Sequence, residues 1–342
     1  MLQPKGAGRP NVLVIGGAGF VGSNLCEFLL ERYNVICVDN FFSGKEQNID
    51  TLLSQPHFEF IRHDITEKLD FKNSSSLERF NVAFTGIQYV YYCASPSNPT
   101  FFLKAPLELL MANSVGVKNA LDIALSYRAR FILVSDALVY GSLVHQKPSE
   151  DMAGVVEHSD PLRISIQGKL FAESLAESYQ KLYDLEVFIV RLGTSYGPRM
   201  HLDDSRFVPF LATRCLQNES YTISDEIRVG SYLYISDVVD ALEKIALAEN
   251  SFCVYNLGHG SGYSVQEVVQ SLATLTGTHA QFSLGKPEAS DATLQYAWQA
   301  QTAEMNIEKI KTELGWFPVV LLDDGLEKTI DYMKSLRNVR VH

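Results

Sequence analysis

Asn11-Val-Leu-Val-Ile-Gly16-Gly-Ala-Gly19-Phe-Val-Gly22 decides the fold of this chain. An apolar run of strand length meets a glycine triplet, and an amphipathic helical pattern over 20–32 follows directly. The spacing has a physical purpose. Gly16 permits the tight turn, Gly19 lets the backbone approach a pyrophosphate, and Gly22 lets the helix pack on the strand. The N–H groups at the helix start, from Phe20 and Val21, then face the phosphates with the positive end of the helix dipole.

Working outward, a second apolar run at 35–38 ends on Asp39, about 20 residues beyond the turn, where a carboxylate binds the adenine ribose hydroxyls. The same charge repels a 2′-phosphate, so the cofactor expected is NAD rather than NADP. Further strand-length runs at 58–61, 89–92, 131–135 and 187–191 alternate with helical patterns at 105–127 and 169–183. That alternation predicts parallel crossovers and an α/β, doubly wound parallel sheet of the Rossmann kind. Asp64-Ile65, after the third strand, is placed to approach the adenine. Ala94-Ser95-Pro96, after the fourth, lies on the carboxyl edge where ligands of such sheets bind.

The second half is less regular. Gly197-Pro198-Arg199 opens a loop, helices are expected at 207–215, 237–248, 264–276, 306–314 and 322–336, and strands at 232–235 and 252–257. The organisation expected is a cofactor domain of 1–195 plus 234–257, with a smaller discontinuous α/β substrate lobe of 196–233 plus 258–342.

Composition narrows the class of partner. A net charge of −11 with no basic run argues against nucleic acid and anionic membranes as partners. The five cysteines are scattered and odd in number, which reads as free thiols in a reducing compartment, with the cytoplasm as the expected location. No Cys/His spacing suggests a metal site, and no run reaches transmembrane length.

Several segments together carry a family likeness: Gly16–Gly22, Val38-Asp39-Asn40-Phe-Phe-Ser43-Gly44, Ala94-Ser95-Pro96, Asn113-Ser-Val-Gly116, Val139-Tyr140-Gly141, Lys169 and Gly197-Pro-Arg-Met-His201. The chain resembles the extended short-chain dehydrogenase/reductases, most closely UDP-glucuronate decarboxylases and next dTDP-glucose 4,6-dehydratases. The resemblance implies NAD held by a Rossmann lobe and a nucleotide sugar held by the smaller one. It adds Asn40, Ser43, Gly44, Asn113 and Lys169 to the cofactor set, and Pro96, Thr194, Arg199, Arg206 and Arg228 to the substrate set. It also implies a homodimer built on the helices at 105–127 and 169–183. In such proteins NAD oxidises the sugar C4 hydroxyl and the hydride later returns. A Tyr, made more acidic by a Lys one helical turn on, is the base.

Against that pattern, Ser165 stands in the Tyr position, Asp136 in the Ser/Thr position, Ala137 at a usually polar position and Leu138 in the Glu position. Ser165 and Lys169 share a helix face, but an alkyl hydroxyl is shorter and far less acidic than a phenol. Asp136 reads either as an ion-pair partner of Lys169 or as a relocated general base. Tyr140 is a further candidate for proton transfer. On the substrate side Gly230 replaces an expected Arg, and Arg206, Arg228 and Lys286 are left as candidate diphosphate cations. Three readings stay open: a nucleotide-sugar enzyme with a rearranged base, a catalytically inactive NAD-binding scaffold or regulatory subunit that can pair with an active homologue, and a dinucleotide redox sensor.

Overall fold

The structure is a computed structural model that describes residues 8–69, 71, 75–141, 146–156, 162–224, 229–285 and 304–339. The main sheet contains β1 (Asn11–Ile15), β2 (Asn34–Asp39), β3 (Phe58–Arg62), β4 (Tyr89–Tyr92), β5 (Arg130–Asp136), β6 (Val187–Leu192) and β11 (Phe252–Leu257). Its order is β11-β6-β5-β4-β1-β2-β3, with every neighbouring pair parallel. Strand order reverses between β1 and β4, so a crevice opens there, beyond the carboxyl ends of the strands. The strands are near-continuous apolar runs because both faces are covered by helices.

The helices are α1 (Phe20–Leu29), α2 (Val82–Thr85), α3 (Pro99–Lys104), α4 (Pro106–Met111), α5 (Val117–Tyr127), α6 (Arg163–Tyr183), α7 (Phe207–Gln217), α8 (Ile235–Ala246), α9 (Val265–Thr276), α10 (Glu308–Leu314) and α11 (Leu322–Val339). Three small pairs complete the fold: β7 (Ser195–Tyr196) with β10 (Leu233–Tyr234), β9 (Val229–Gly230) with β12 (Tyr263–Ser264), and β8 (Tyr221–Ser224) with β13 (Phe282–Gly285).

The helical pattern expected over 105–127 is built in pieces. Asn98 caps α3 by accepting from the Thr100 amide, and Pro99 starts it. Pro106 starts α4, and a wide π turn at Ala112–Gly116 leads into α5. The Tyr92 hydroxyl donates to the Ala112 carbonyl at 2.5 Å and lies 2.6 Å from where a Gly116 Cβ would stand, so a buried phenol is wedged into that turn.

The cofactor segments and the second-half segments share one core. One cluster runs from Val12, Val14 and Cys37 through Tyr196, Phe207 and Val238 to Val265, Trp316 and Leu326. The β7–β10 pair also straddles the boundary drawn at residues 195 and 234. The second-half segments are thus packed onto the sheet rather than tethered to it.

Candidate active site

Gly16 sits at φ +79°, and a Cβ there would lie 2.5 Å from the Ala94 nitrogen, so only glycine fits between β1 and β4. A Gly22 Cβ would lie 2.1 Å from the Gly16 carbonyl oxygen, which shows how tightly α1 is docked on the turn. Gly19 differs: a Cβ there would meet only the Gly16 oxygen, at 3.3 Å, and would otherwise project into open cleft. Gly19 is the N-cap of α1 and no side chain caps that end, so the first-turn N–H groups face the cleft, as a diphosphate requires.

A cleft of about 590 Å³ runs along this crevice. At one end lie Asp39, Asn40, Ser43, Asp64 and Ile65. Asp39 accepts from the Ala18 and Phe41 amides at 2.9 and 2.7 Å, and burial raises its pKa against those bonds. Asp64 is held by Thr66 and by the Asn40 amide at 2.9 Å. Burial alone would raise its pKa, but these hydrogen bonds outweigh it and leave the carboxyl below its ordinary value. Both carboxylates expected on the adenosine side thus line the cleft and are held by hydrogen bonds.

The other end is lined by Ser135, Asp136, Leu138, Lys169, Thr194 and the segment Ala94-Ser95-Pro96. Asp136 ends β5 and caps the following turn, accepting from the Leu138 amide at 2.8 Å. Burial pushes its pKa up, more than that bond and the charges of Lys169 and Arg206 pull it down. Lys169 donates to the Val134 carbonyl at 2.8 Å, and burial lowers its pKa against the pull of Asp136. Among the described residues the two form no ion pair within 4.0 Å. The ion-pair reading of Asp136 is corrected accordingly: main chain takes one of its carboxylate oxygens, and main chain also anchors the Lys169 ammonium.

Other expected residues have different positions. The Tyr140 hydroxyl donates to Asn256 Oδ1 at 2.6 Å and accepts from Arg191 at 3.0 Å, and the side chain does not line the cleft. These contacts hold the hydroxyl of this proton-transfer candidate between Asn256 and Arg191 rather than at the cleft. Ser165 is buried in the first turns of α6 and is also absent from the cleft wall. Beside it Leu138 packs with Leu109, Leu162 and Ile166, an apolar patch where the resemblance implies polar groups. Asn113 stands behind the wall, donating to Ser95 Oγ at 3.0 Å, and Gly44 packs beneath the turn on Ala18. Both pack behind the cleft wall without forming it.

Of the cations expected on the substrate side, the two that are described, Arg199 and Arg206, are both committed. Arg199 lines the cleft but reaches α1, donating to the Ser23 carbonyl at 3.2 Å and pairing with Glu27 at 3.1 Å. Arg206 pairs with Asp204 at 2.6 Å and stacks over Phe20, 5.1 Å from the ring centre. Arg228 and Lys286 lie outside the described residues.

Sequence reasoning missed three features. Ser135 donates to Glu173 at 2.5 Å, and Glu173 pairs with Arg191 at 2.9 Å, so a buried chain of polar groups runs behind the cleft. Lys45 bridges to Asp203 at 2.9 Å between the loop after β2 and the loop before α7. His201 also lines the cleft, its Nε2 buried without a partner, and burial lowers its pKa to about 4. The Gly197–His201 run was the one signal that could have flagged it.

The comparisons with known proteins agree with this geometry. Residues 12–258 match the model of the NAD dependent epimerase/dehydratase family. UDP-glucuronic acid decarboxylase 1 of Danio rerio is 32% identical over 328 residues, covering 95% of this chain and 72% of that protein. UDP-glucuronic acid decarboxylase 3 of Arabidopsis thaliana is 30% identical, covering 93% of this chain and 88% of that one. Among solved structures, UDP-glucuronic acid 4-epimerase from Bacillus cereus, in complex with UDP-glucuronic acid and NAD, superposes with a TM-score of 0.78 at 26% identity, covering 95% and 99% of the two chains. UDP-glucose 4-epimerase from Thermotoga maritima, with UDP-glucose, gives 0.77 at 27% identity, covering 96% and 99%. With the parallel sheet, the glycine turn and the placed carboxylates, these matches establish that the chain belongs to the NAD dependent epimerase/dehydratase family.

Proposed function

We propose that this protein binds NAD along the cleft, holds a nucleotide sugar at the Asp136 end, and transforms that sugar with Asp136 as the acid–base group. The observation that supports the reading most directly is the cleft itself. Its one wall joins the Gly16–Gly22 turn and Asp39 to Asp136, Lys169 and Thr194. NAD, when bound, supplies reversible hydride acceptance at the sugar. The remaining work falls to the chain: Asp39 and the α1 N-terminus hold the dinucleotide, and the Asp136 carboxylate receives a hydroxyl proton. A raised carboxyl pKa suits that duty, because a base is most effective when its pKa approaches the working pH.

Mass spectrometry of small molecules released from freshly purified, denatured protein tests the reading. NAD together with a nucleotide sugar supports it. NAD alone, with no UDP-sugar retained after soaking, favours a binding-only scaffold, regulatory or redox-sensing role. One observation favours that second reading: Leu138, standing where the family likeness implies a Glu, packs into an apolar patch with Leu162 and Ile166.

The assembly proposed is a homodimer, whose contact would be the exposed apolar residues Leu107, Leu110 and Met111 of α4 and Phe171, Leu182 and Tyr183 of α6. The location proposed is the cytoplasm, on the five free thiols; no described helix is long and apolar enough to cross a membrane.

A further inference from the structure

Resting on the nucleotide-sugar reading, we infer that the sugar this site accepts carries no carboxylate, and instead presents a hydroxyl or ammonium donor to Asp136. A sugar acid is held most strongly by a free cation at the reacting end of the cleft, since charge-assisted hydrogen bonds are about twice as strong as neutral ones. Among the described residues, every cation on the cleft wall already has a partner. Lys45 is held by Asp203 at 2.9 Å, Arg206 by Asp204 at 2.6 Å and Arg199 by Glu27 at 3.1 Å. Lys169 donates to the Val134 carbonyl at 2.8 Å and is electrostatically offset by Asp136.

His201 does not make up the deficit, since burial keeps its ring neutral at ordinary pH. Nor does the neighbouring wall, whose polar members, Ser135, Thr194, Ser95 and Asn98, are uncharged. Asp136 has one oxygen taken by the Leu138 amide, and among the described residues no hydrogen bond takes the other. That oxygen is an acceptor awaiting a donor. A sugar hydroxyl or ammonium satisfies it, whereas a carboxylate at the same place meets a like charge and a hydrogen bond with no proton in it. Juxtaposed like charges at a desolvated contact suppress binding. The chemistry of the wall thus selects against the acid sugar in the relatives' names, although the fold is shared.

The test is titration calorimetry on the NAD-loaded full chain with UDP, UDP-glucose, UDP-glucosamine and UDP-glucuronate. We expect UDP-glucose and UDP-glucosamine to bind at least about tenfold more tightly than UDP-glucuronate. Asp136→Asn, which keeps the acceptor for the Leu138 amide, should narrow that gap to within about threefold. UDP-glucuronate binding as tightly as the other two sugars, or more tightly, would overturn the inference while leaving the nucleotide-sugar reading intact. If UDP and all three sugars fail to bind, the nucleotide-sugar reading falls, and this inference with it. The wild-type comparison decides the matter even if the variant does not fold.

Discussion

Asp136 and Lys169 face the same end of the cleft without touching as an ion pair. The carboxylate caps the turn at the Leu138 amide, and the ammonium is anchored on the Val134 carbonyl, each at 2.8 Å. Each charge still feels the other, which eases the burial of both. A salt bridge would lock the proton inventory of the site. Two separately anchored groups instead leave the free Asp136 oxygen able to take a proton, while Lys169 supplies field.

Asp136→Asn should lower turnover of the accepted sugar by about 10²–10⁴-fold, the range of general-base catalysis. NAD affinity should stay within about threefold, because Asp136 ends β5, three strands along the sheet from Asp39 at the end of β2. The base must be deprotonated to act, and its pKa is raised. Wild-type kcat should therefore rise with pH through a midpoint above the ordinary carboxylate range, and the variant should lose that limb. Unchanged kcat in the variant would remove Asp136 from the chemistry.

Tyr140→Phe separates a structural from a catalytic phenol. The hydroxyl lies between Asn256 and Arg191, and Arg191 is itself paired with buried Glu173. Removing it should destabilise the protein by about 1–2 kcal/mol in denaturant titration, from the hydrogen bonds lost. Turnover of the remaining folded protein should be unchanged. A large fall in kcat without a loss of stability would return Tyr140 to the active site.

The sheet and the cofactor turn were legible because they rest on local signals: period, glycine spacing and a strand-end carboxylate. Helix α6 starts at Arg163, earlier than the expected 169, because Ile164 and Ile166 turn into the apolar patch of Leu109 and Leu138. That contact is nonlocal, and so invisible in a one-dimensional pattern. Tyr140 meets Asn256 across 116 residues, and Lys45 meets Asp203 across 158. Motif reading could place Tyr140 near the reacting centre but could not see which way its hydroxyl is drawn. In the same way Arg199 matched a motif, while the acceptors on α1 that capture it come from a distant segment.

Leu138→Glu probes whether the polar constellation implied by the family likeness can be rebuilt. Leu138 is 6% exposed and packs on Leu109, Leu162 and Ile166. A carboxylate there has no described partner in that cluster, so the single variant should lose about 2–5 kcal/mol of stability. Combining it with Ser165→Tyr and Asp136→Thr adds a phenol and a hydroxyl as hydrogen-bond partners. The triple variant should be more stable than Leu138→Glu alone and should gain some NADH formation with a UDP-sugar. A folded triple variant that binds NAD and sugar but gives no NADH signal would show that more than these positions blocks the family route.

His201 makes the acid side of the stability profile diagnostic. Burial lowers its pKa from 6.5 to about 4, so between those values the unfolded chain binds a proton that the folded chain refuses. The sign follows directly: this contribution to stability is fully present above pH 6.5, declines as pH falls, and is exhausted near pH 4. A shift of that size corresponds to about 3 kcal/mol at most, less to the extent that water reaches the cleft wall. His201→Gln keeps a polar side chain but cannot titrate. Its denaturation midpoint should flatten across that window relative to wild type. Parallel profiles for the two proteins would mean that the ring titrates normally and that water, not protein, surrounds Nε2.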